Sequence, residues 1–287
     1  MELPILVTGA LGNVGTEVIK QLQVEGHVIR AADIAEEKLR EKFGDAVECI
    51  RFDFCDERTY EATFKGVQKM FLMRPPHISN VKRDLFPSID AAKRAGVKHV
   101  VFLSLIGIEK LTFVPHYKVE QHLKEIGLQT TFLRCSFFMQ NLNTTHRQEI
   151  KGRSELFVPV GNAKTSFIDV RDIGAVAAVI LTEEGHAGKN YDLTGSERLD
   201  YWQVAKLMSE ELGRKIIYRN PNPLGFFAET IQRGMSFLPA LVITGLYTST
   251  RFGMADLVTN EVQQLIRRTP ITFKQYLRDY HEMWMKE

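Results

Sequence analysis

The amino-acid sequence predicts an α/β fold built on a doubly wound parallel sheet, with a smaller α+β lobe towards its C-terminus. Short apolar runs alternate with amphipathic helical stretches through the first half, as is typical of a parallel sheet covered by helices. A glycine-rich turn directly follows the first apolar run. After residue 135 the alternation stops, and prolines and glycines become frequent. We therefore expect one domain over residues 1–135 and a lobe over residues 136–287, from which some segments return to the sheet.

The predicted strands of the first domain are apolar runs at residues 3–8, 27–32, 47–51, 69–73, 100–104 and 129–134. The first helix places Val14, Val18 and Leu22 on one face, which can pack on the sheet. Further helices are predicted at residues 35–43, 82–95, 117–126, 170–181, 201–212 and 272–285, and a later strand at residues 190–193. Prolines and glycines between residues 221 and 253 predict short or bent helices there.

Composition excludes several classes of protein. With 44% hydrophobic and 25% charged residues, the chain has the composition of an ordinary soluble globular protein. Lysine and arginine exceed aspartate and glutamate by only two, 37 against 35, so nothing indicates a nucleic-acid partner. The three cysteines lack paired spacing, which argues against a disulfide framework and a zinc site. The first apolar run has no basic leader and is far shorter than the ~20 residues of a membrane span, so we expect a cytoplasmic protein without a membrane partner.

The glycine-rich turn carries the spacing GxxGxxG at Gly9, Gly12 and Gly15. The first glycine permits a sharp turn, the second lets the backbone approach a diphosphate, and the third lets the helix pack close to the strand. The helix N-terminus then stabilises the diphosphate charge. This context predicts a Rossmann domain that binds NAD(P)(H), although a plain βα turn is the alternative. The expected contacts are Thr8, Gly9, Leu11, Gly12, Asn13, Val14 and Gly15.

Asp33 lies at the end of the second predicted strand. There a carboxylate accepts hydrogen bonds from the adenosine ribose and repels a 2′-phosphate, which favours NAD over NADP. Two alternatives stay open: Asp33 caps the helix ahead of Glu36, or Arg30, Lys38 or Arg40 reaches a phosphate.

Asp53 and Phe54 follow the third predicted strand in the same way. They would place a carboxylate and a backbone amide beside the adenine. The alternative is that Asp53 caps the helix that begins near Asp56.

Several segments together resemble the NmrA-like group of atypical short-chain dehydrogenases/reductases. They are the turn at residues 8–15 and residues 96–104, 131–141, 168–174, 188–195 and 268–273. The group includes quinone oxidoreductases, triphenylmethane-dye reductases and catalytically silent redox sensors. The resemblance implies a nicotinamide and substrate site after the fourth to sixth strands. It implies cofactor contacts at Met73, Arg74, Pro75, Ser104 and Cys135, and substrate contacts at His77, Phe137 and Phe138. Core packing is the alternative for the two phenylalanines.

The tyrosine–lysine pair that many short-chain dehydrogenases use for acid–base catalysis is missing. Tyr117 is followed four residues later by Gln121, and Thr112 and His116 fall where the family's tyrosine and lysine would lie. His116 is therefore the candidate for a hydrogen bond to the cofactor ribose or for a catalytic proton. A surface histidine at a helix start is the alternative.

Hydride transfer to a conjugated acceptor needs close stacking more than a strong acid. We therefore expect an NAD(P)-dependent oxidoreductase that reduces a quinone-like or other conjugated small molecule. The alternatives are a redox sensor that binds NAD(P) and a protein partner and, less favoured, a sugar-nucleotide epimerase or dehydratase. A homo-oligomer is compatible with the sequence.

Overall fold

The computed structural model describes residues 3–285. The strands are β1 (Ile5–Thr8), β2 (Ile29–Asp33), β3 (Glu48–Arg51), β4 (Lys69–Leu72), β5 (His99–Leu105), β6 (Gln129–Cys135), β7 (Glu155–Leu156), β8 (Asn190–Leu193) and β9 (Ile217–Tyr218). The helices of the first part are α1 (Asn13–Val24), α2 (Glu36–Phe43), α3 (Tyr60–Phe64), α4 (Val81–Asp84), α5 (Phe86–Arg94) and α6 (Pro115–Glu125). They are followed by α7 (Val170–Thr182), α8 (Tyr201–Leu212), α9 (Pro223–Gln232), α10 (Phe237–Arg251), α11 (Glu261–Ile266) and α12 (Phe273–Tyr280).

The chain divides into two compact units. Unit 1 comprises the chain up to Cys135 together with Val170–Asp192, and unit 2 comprises Ser136–Asp169 and the chain from Leu193 onwards. Unit 1 therefore takes up α7 and most of β8 from the second half of the sequence.

Unit 1 is built on the predicted parallel sheet. The seven strands lie in the order β3-β2-β1-β4-β5-β6-β8, and every pair from β3 to β6 runs parallel. The strand order reverses direction between β1 and β4, which is where open parallel sheets bind ligands at the carboxyl ends of their strands. The predicted Rossmann-type fold is confirmed.

Helix α7 packs directly on α1. A side chain at Gly174 would place its Cβ 2.7 Å from the Glu17 carbonyl carbon, so the two helices approach at a distance that only glycine permits. This contact explains how a segment from the second half of the sequence completes unit 1.

Two helix predictions were wrong. The helix predicted at residues 82–95 is divided at Leu85 into α4 and α5, because Pro87 lacks an N–H and its ring is tolerated only in the first turn of a new helix. The short helices predicted near residue 240 are instead one helix of 15 residues, α10. Pro239 lies in its first turn, and Gly245 is accommodated inside it.

Unit 2 has its own hydrophobic core, in which aromatic side chains from several helices meet. Phe273 and Tyr276 of α12 and Tyr201 of α8 belong to it, and β7 pairs in parallel with β9. Helix α8 begins with a capping box between Asp200 and Gln203, which satisfies amides of its first turn. Among residues 3–285, no helix combines the length and the apolar character that crossing a bilayer requires.

Candidate functional site

The glycine-rich turn in unit 1 has a geometry that side chains would disrupt. Gly9 has a φ of +62°, and the Gly12 N–H donates to its carbonyl at 2.9 Å. A Cβ on Gly15 would lie 2.3 Å from that same carbonyl oxygen. Helix α1 then begins without a side-chain cap and without an acidic residue in its first turn. The first-turn amides, which have no partner inside a helix, therefore fit a diphosphate.

Asp33 is held rigidly beside this turn. Its Oδ2 accepts a hydrogen bond from the Leu11 amide at 3.1 Å, and its Oδ1 accepts one from the Ile34 amide at 2.8 Å. The N-cap of α2 is Ala35, which forms no side-chain cap. The helix-capping alternative for Asp33 is thus wrong, and its carboxylate is fixed at the carboxyl end of β2.

The nearby cations are mostly engaged elsewhere. Arg30 is buried and donates to the backbone carbonyls of Thr63 and Lys65, and Arg40 pairs with Glu36 at 2.7 Å. The alternative in which Arg30 or Arg40 reaches a phosphate therefore lacks support in this arrangement, whereas the same alternative for the exposed Lys38 stays open. Lys42, which the sequence did not indicate, donates to Thr16 of α1 at 2.7 Å.

A pocket opens beside Gly9, Gly12 and Asp33. Its other lining residues are Ala32, Ile34, Phe52, Asp53, Phe54, Met73, Pro75, Pro76, His77 and Ile78. The Asp53 carboxylate accepts the Cys55 amide at 2.9 Å, whereas Asp56 caps the short helix that follows. The helix-capping alternative for Asp53 is therefore wrong as well. His77, predicted as a substrate contact, lies in the same pocket as the glycine-rich turn.

Thr8 and Met73 join β1 to β4, and Met73 lines this pocket. The Thr8 hydroxyl donates to the Phe71 carbonyl at 3.0 Å and accepts the Met73 amide at 3.1 Å. The Met73 side chain occupies the space where a Cβ on Gly9 would lie, 2.5 Å from Met73 Sδ. The Thr8 side chain is fully buried and holds two strands together, while Met73 packs against the turn.

Val14 and Asn13, two other predicted cofactor contacts on α1, differ in how far their side chains are exposed. The Val14 side chain is buried in the core, so only its backbone is suited to a ligand. Asn13 is exposed at the first position of the helix.

Arg74 follows β4 and folds back over its own loop. Its Nη1 donates to the carbonyl oxygens of Pro75, Pro76 and Ile78 at 2.8, 3.2 and 2.7 Å. Its Nε is inaccessible to solvent and has no hydrogen-bond partner among the described residues. Burial lowers the pKa of Arg74 to about 10, so the guanidinium remains charged at neutral pH.

His116 lies in the first turn of α6, one residue after Pro115. Burial, and secondarily the charge of Arg74, lower the pKa of His116 well below its ordinary value. Its ring centroid is 6.1 Å from that of Phe102 on β5. At neutral pH the imidazole is therefore uncharged and is suited to hydrogen bonding rather than to donating a proton from an imidazolium.

Ser104 belongs to a buried network at the ends of β5 and β6. Its hydroxyl donates to Glu120 Oε1 at 2.6 Å, and Glu120 also accepts from Arg134 Nη2 at 2.8 Å. Glu109 pairs with Arg134 from the other side. The Glu120 side chain is 1% exposed. The sequence did not predict this network, although a glutamate between Val119 and Leu123 on an apolar helix face is a usable signal.

The residues at and after the end of β6 are mostly buried. The Cys135 thiol contacts the Leu133 carbonyl at 3.6 Å, and burial raises its pKa, so it is a protonated thiol. Cys135 belongs to unit 1.

In unit 2, Phe137 stacks on Tyr247 with ring centroids 5.5 Å apart, and the Phe138 backbone bridges to Ile168. Both phenylalanine side chains are partly buried.

Comparison with known proteins places this fold and turn in a family. The NmrA-like family model matches residues 1–277. An NAD(P)H azoreductase of Xenophilus azovorans is 36% identical over 220 residues, which cover 75% of this chain and 76% of that protein. Prestalk A differentiation protein A of Dictyostelium discoideum is 28% identical over 281 residues, 97% of this chain and 92% of that protein. The NADPH complex of the quinone oxidoreductase QOR2 from Escherichia coli has the same fold, with a TM-score of 0.85 at 23% identity over 96% of this chain and 99% of that one. The chain belongs to the NmrA-like family.

Proposed function

We propose that this protein is an NAD(P)-dependent oxidoreductase that transfers hydride to a quinone-like or other conjugated small molecule. The observation that carries the proposal is the cradle formed by the glycine-rich turn, in which a Cβ on Gly15 would overlap the Gly9 carbonyl and α1 presents uncapped amides. A similar family member is named an NAD(P)H azoreductase, and a structural neighbour is a quinone oxidoreductase solved with NADPH.

The proposed cofactor contacts are those that the sequence indicated. They are Thr8, Gly9, Leu11, Gly12, Asn13, Val14, Gly15, Asp33, Asp53, Phe54, Met73, Arg74, Pro75, Ser104, His116 and Cys135. Within this set, Gly9, Gly12, Asp33, Asp53, Phe54, Met73 and Pro75 line one pocket. Thr8 and Ser104 would act through the groups that they hold in place, because their hydroxyls already bond inside the protein.

We further propose that NAD is preferred to NADP. Both oxygens of Asp33 are held by backbone amides, so the carboxylate cannot easily turn away from a 2′-phosphate placed at the end of β2. The same oxygens keep lone pairs that accept hydrogen bonds from ribose hydroxyls. This preference differs from the cofactor bound in the quinone oxidoreductase structure, which is NADPH.

The proposed chemistry follows from the absence of a tyrosine–lysine pair. The cofactor supplies hydride when bound, and the protein positions the acceptor within roughly 3–3.5 Å of it. A neutral His116 is suited to orienting a ribose or an acceptor oxygen through a hydrogen bond. Water completes the protonation of a reduced quinone.

The proposed acceptor contacts are those that the sequence indicated, His77, Phe137 and Phe138. Phe137 packs one face on the buried Tyr247 and is itself partly buried, and its ring is of the kind on which a conjugated ring stacks.

Two measurements on purified protein test these proposals. Calorimetric titration compares NADH with NADPH for the wild type, Asp33→Ala and the exposed control Asp45→Ala. We expect Asp33→Ala to reduce the preference for NADH about tenfold, or about 1.4 kcal/mol, and Asp45→Ala to leave it unchanged.

Turnover of a quinone panel with each cofactor tests the activity. Stoichiometric cofactor binding without reduction of any acceptor would favour the sensor alternative, for which the two redox forms must bind with different affinity.

A further inference from the structure

Among the residues that the structure describes, Arg74 is a cation without a carboxylate partner. Only its Nη1 is used, on three carbonyl oxygens of the loop that it clamps, and its buried Nε has no acceptor. Among residues 3–285, no carboxylate forms an ion pair with it, and burial is the cause of its lowered pKa. Arg74 is partly buried, with its Nε inaccessible to solvent. Partial removal of a charge from water without a counter-charge is costly, and a ligand or a transition state that supplies negative charge offsets that cost.

The surroundings of Arg74 leave this positive charge uncompensated. The charge of Arg74 contributes to the lowered pKa of His116, which is neutral and so supplies no counter-charge. The carboxylates at the end of β5 and β6 do not supply the counter-charge, because Glu120 and Glu109 both pair with Arg134. Arg74 itself follows β4, so it lies at the carboxyl edge of the sheet, where parallel sheets bind their ligands.

We propose that Arg74 determines acceptor specificity by favouring acceptors that become anionic when they take up hydride, such as neutral quinones, over cationic conjugated dyes. This inference rests on the proposed function. It assigns to Arg74 an electrostatic effect on the acceptor, in addition to the clamp on its loop and to any contact with the cofactor.

The charge balance of the two reactions shows why they respond differently. Hydride addition to a neutral quinone oxidises the nicotinamide to its cationic form and produces a hydroquinone monoanion, which takes one proton from water. Hydride addition to the central carbon of a cationic triarylmethane dye produces a neutral leuco compound and needs no proton. A fixed guanidinium stabilises the developing anion in the first reaction. In the second it repels the dye before reaction, because the two charges have the same sign.

The test compares kcat/KM for a neutral benzoquinone and a cationic triarylmethane dye in the wild type, Arg74→Gln and Arg74→Lys. We expect Arg74→Gln to lower kcat/KM for the quinone by about 30-fold or more and to raise it for the dye several-fold. Arg74→Lys keeps the charge, so it should keep the wild-type ratio of the two acceptors even where its absolute rates fall. The control Arg83→Gln removes an exposed arginine that pairs with Asp84 and should leave both rates unchanged.

The possible results distinguish a failure of the role assigned to Arg74 from a failure of the proposed function. If the wild type reduces either acceptor and Arg74→Gln lowers both rates by the same factor, Arg74 acts only through its loop or the cofactor, and the inference is wrong. If the wild type reduces no acceptor with either cofactor, the proposed function fails and the inference fails with it.

A second measurement needs only the wild-type protein with its cofactor bound, so it stands even where a variant does not fold. Benzenesulfonate and benzamidine have similar size and opposite charge, and each is tested as a competitor of quinone reduction. We expect the sulfonate to inhibit at least about tenfold more strongly. Equal inhibition, or stronger inhibition by benzamidine, would overturn the inference.

Discussion

The two halves of the sheet edge in unit 1 treat their polar groups in opposite ways. At the ends of β1, β2 and β4, the amides of α1 have no side-chain cap and Arg74 Nε has no hydrogen-bond partner within residues 3–285. At the ends of β5 and β6, Ser104, Glu120 and Arg134 satisfy one another in a buried network. Both halves lie where topology places a ligand site, but the polar groups named here have no partner among the described residues in the first half and bond to one another in the second. Position at the sheet edge therefore identifies candidate residues, and their internal partners decide which are available to a ligand.

The largest expected effect is a loss of stability at the ends of β5 and β6, where the polar groups bond to one another. Glu120→Gln removes one carboxylate from Arg134, which stays paired with Glu109, and it removes the charge that accepts from Ser104. Breaking one side of a buried ion pair costs about 3–5 kcal/mol, so we expect a loss of about that size in the free energy of unfolding. Urea denaturation measures it, with the exposed Glu125→Gln on the same helix as the control. Equal stability of the two variants would show that the network contributes little.

A pH-dependent loss of stability is expected at the opposite end of the same strands. His99 on β5 bonds to Thr131 at 2.8 Å, and burial lowers the pKa of His99 to about 4. In the unfolded chain its pKa is about 6.5, so between these values the unfolded state binds more protons. This residue should therefore cost the protein about 3 kcal/mol of stability as the pH falls from about 6.5 to about 4.

The variant His99→Gln tests that expectation by urea titration at about pH 7 and about pH 4.5. It should show a smaller loss of stability between the two pH values than the wild type does. Some loss should remain, because the pKa values of His116 and His186 are also lowered by burial. The exposed His77→Gln serves as the control and should lose as much stability as the wild type. A full wild-type loss in His99→Gln would exclude His99 as the cause.

At the ends of β1, β2 and β4, Gly15→Ala should weaken cofactor binding. The added Cβ would lie 2.3 Å from the backbone oxygen of Gly9, which cannot move aside as a flexible side chain would. The turn must open, so we expect the dissociation constant for NADH to rise about 100-fold, equivalent to about 2.7 kcal/mol. The control is Gly152→Ala, where a Cβ meets nothing within 4 Å. Calorimetry with circular dichroism as a check of folding measures both, and an unchanged NADH affinity in Gly15→Ala would remove the turn from the site.

The smallest expected effect tests whether Thr8 holds neighbouring groups in place or contacts the cofactor directly. Thr8→Val leaves the buried Met73 amide without its acceptor, which should cost about 1–2 kcal/mol of stability. Because the threonine hydroxyl is used internally, NADH affinity should change far less than in Gly15→Ala. Thr145→Val, at an exposed position, is the matched control. A large loss of NADH affinity with normal stability would instead make Thr8 a direct contact.

Much of unit 1 was predictable because its signals are local. Apolar runs such as Ile5–Thr8 and the glycine spacing from Gly9 to Gly15 depend on neighbouring residues and on backbone freedom, so they are visible in the sequence. The family and the Rossmann-type fold, both predicted from such segments, are confirmed. The break at Leu85 between α4 and α5 was missed even though its cause, Pro87, is also local.

Local pattern alone therefore determined the parallel sheet, the turn that fits a diphosphate and the lack of a tyrosine–lysine pair. The use of each polar side chain was decided by tertiary structure, because a hydroxyl or carboxylate bonds whichever group folding brings within about 3 Å. Ser104 meets Glu120 from a helix 16 residues away, and Asp33 meets the Leu11 amide 22 residues away. For the same reason, the unpaired charge of Arg74 is visible only in the folded protein.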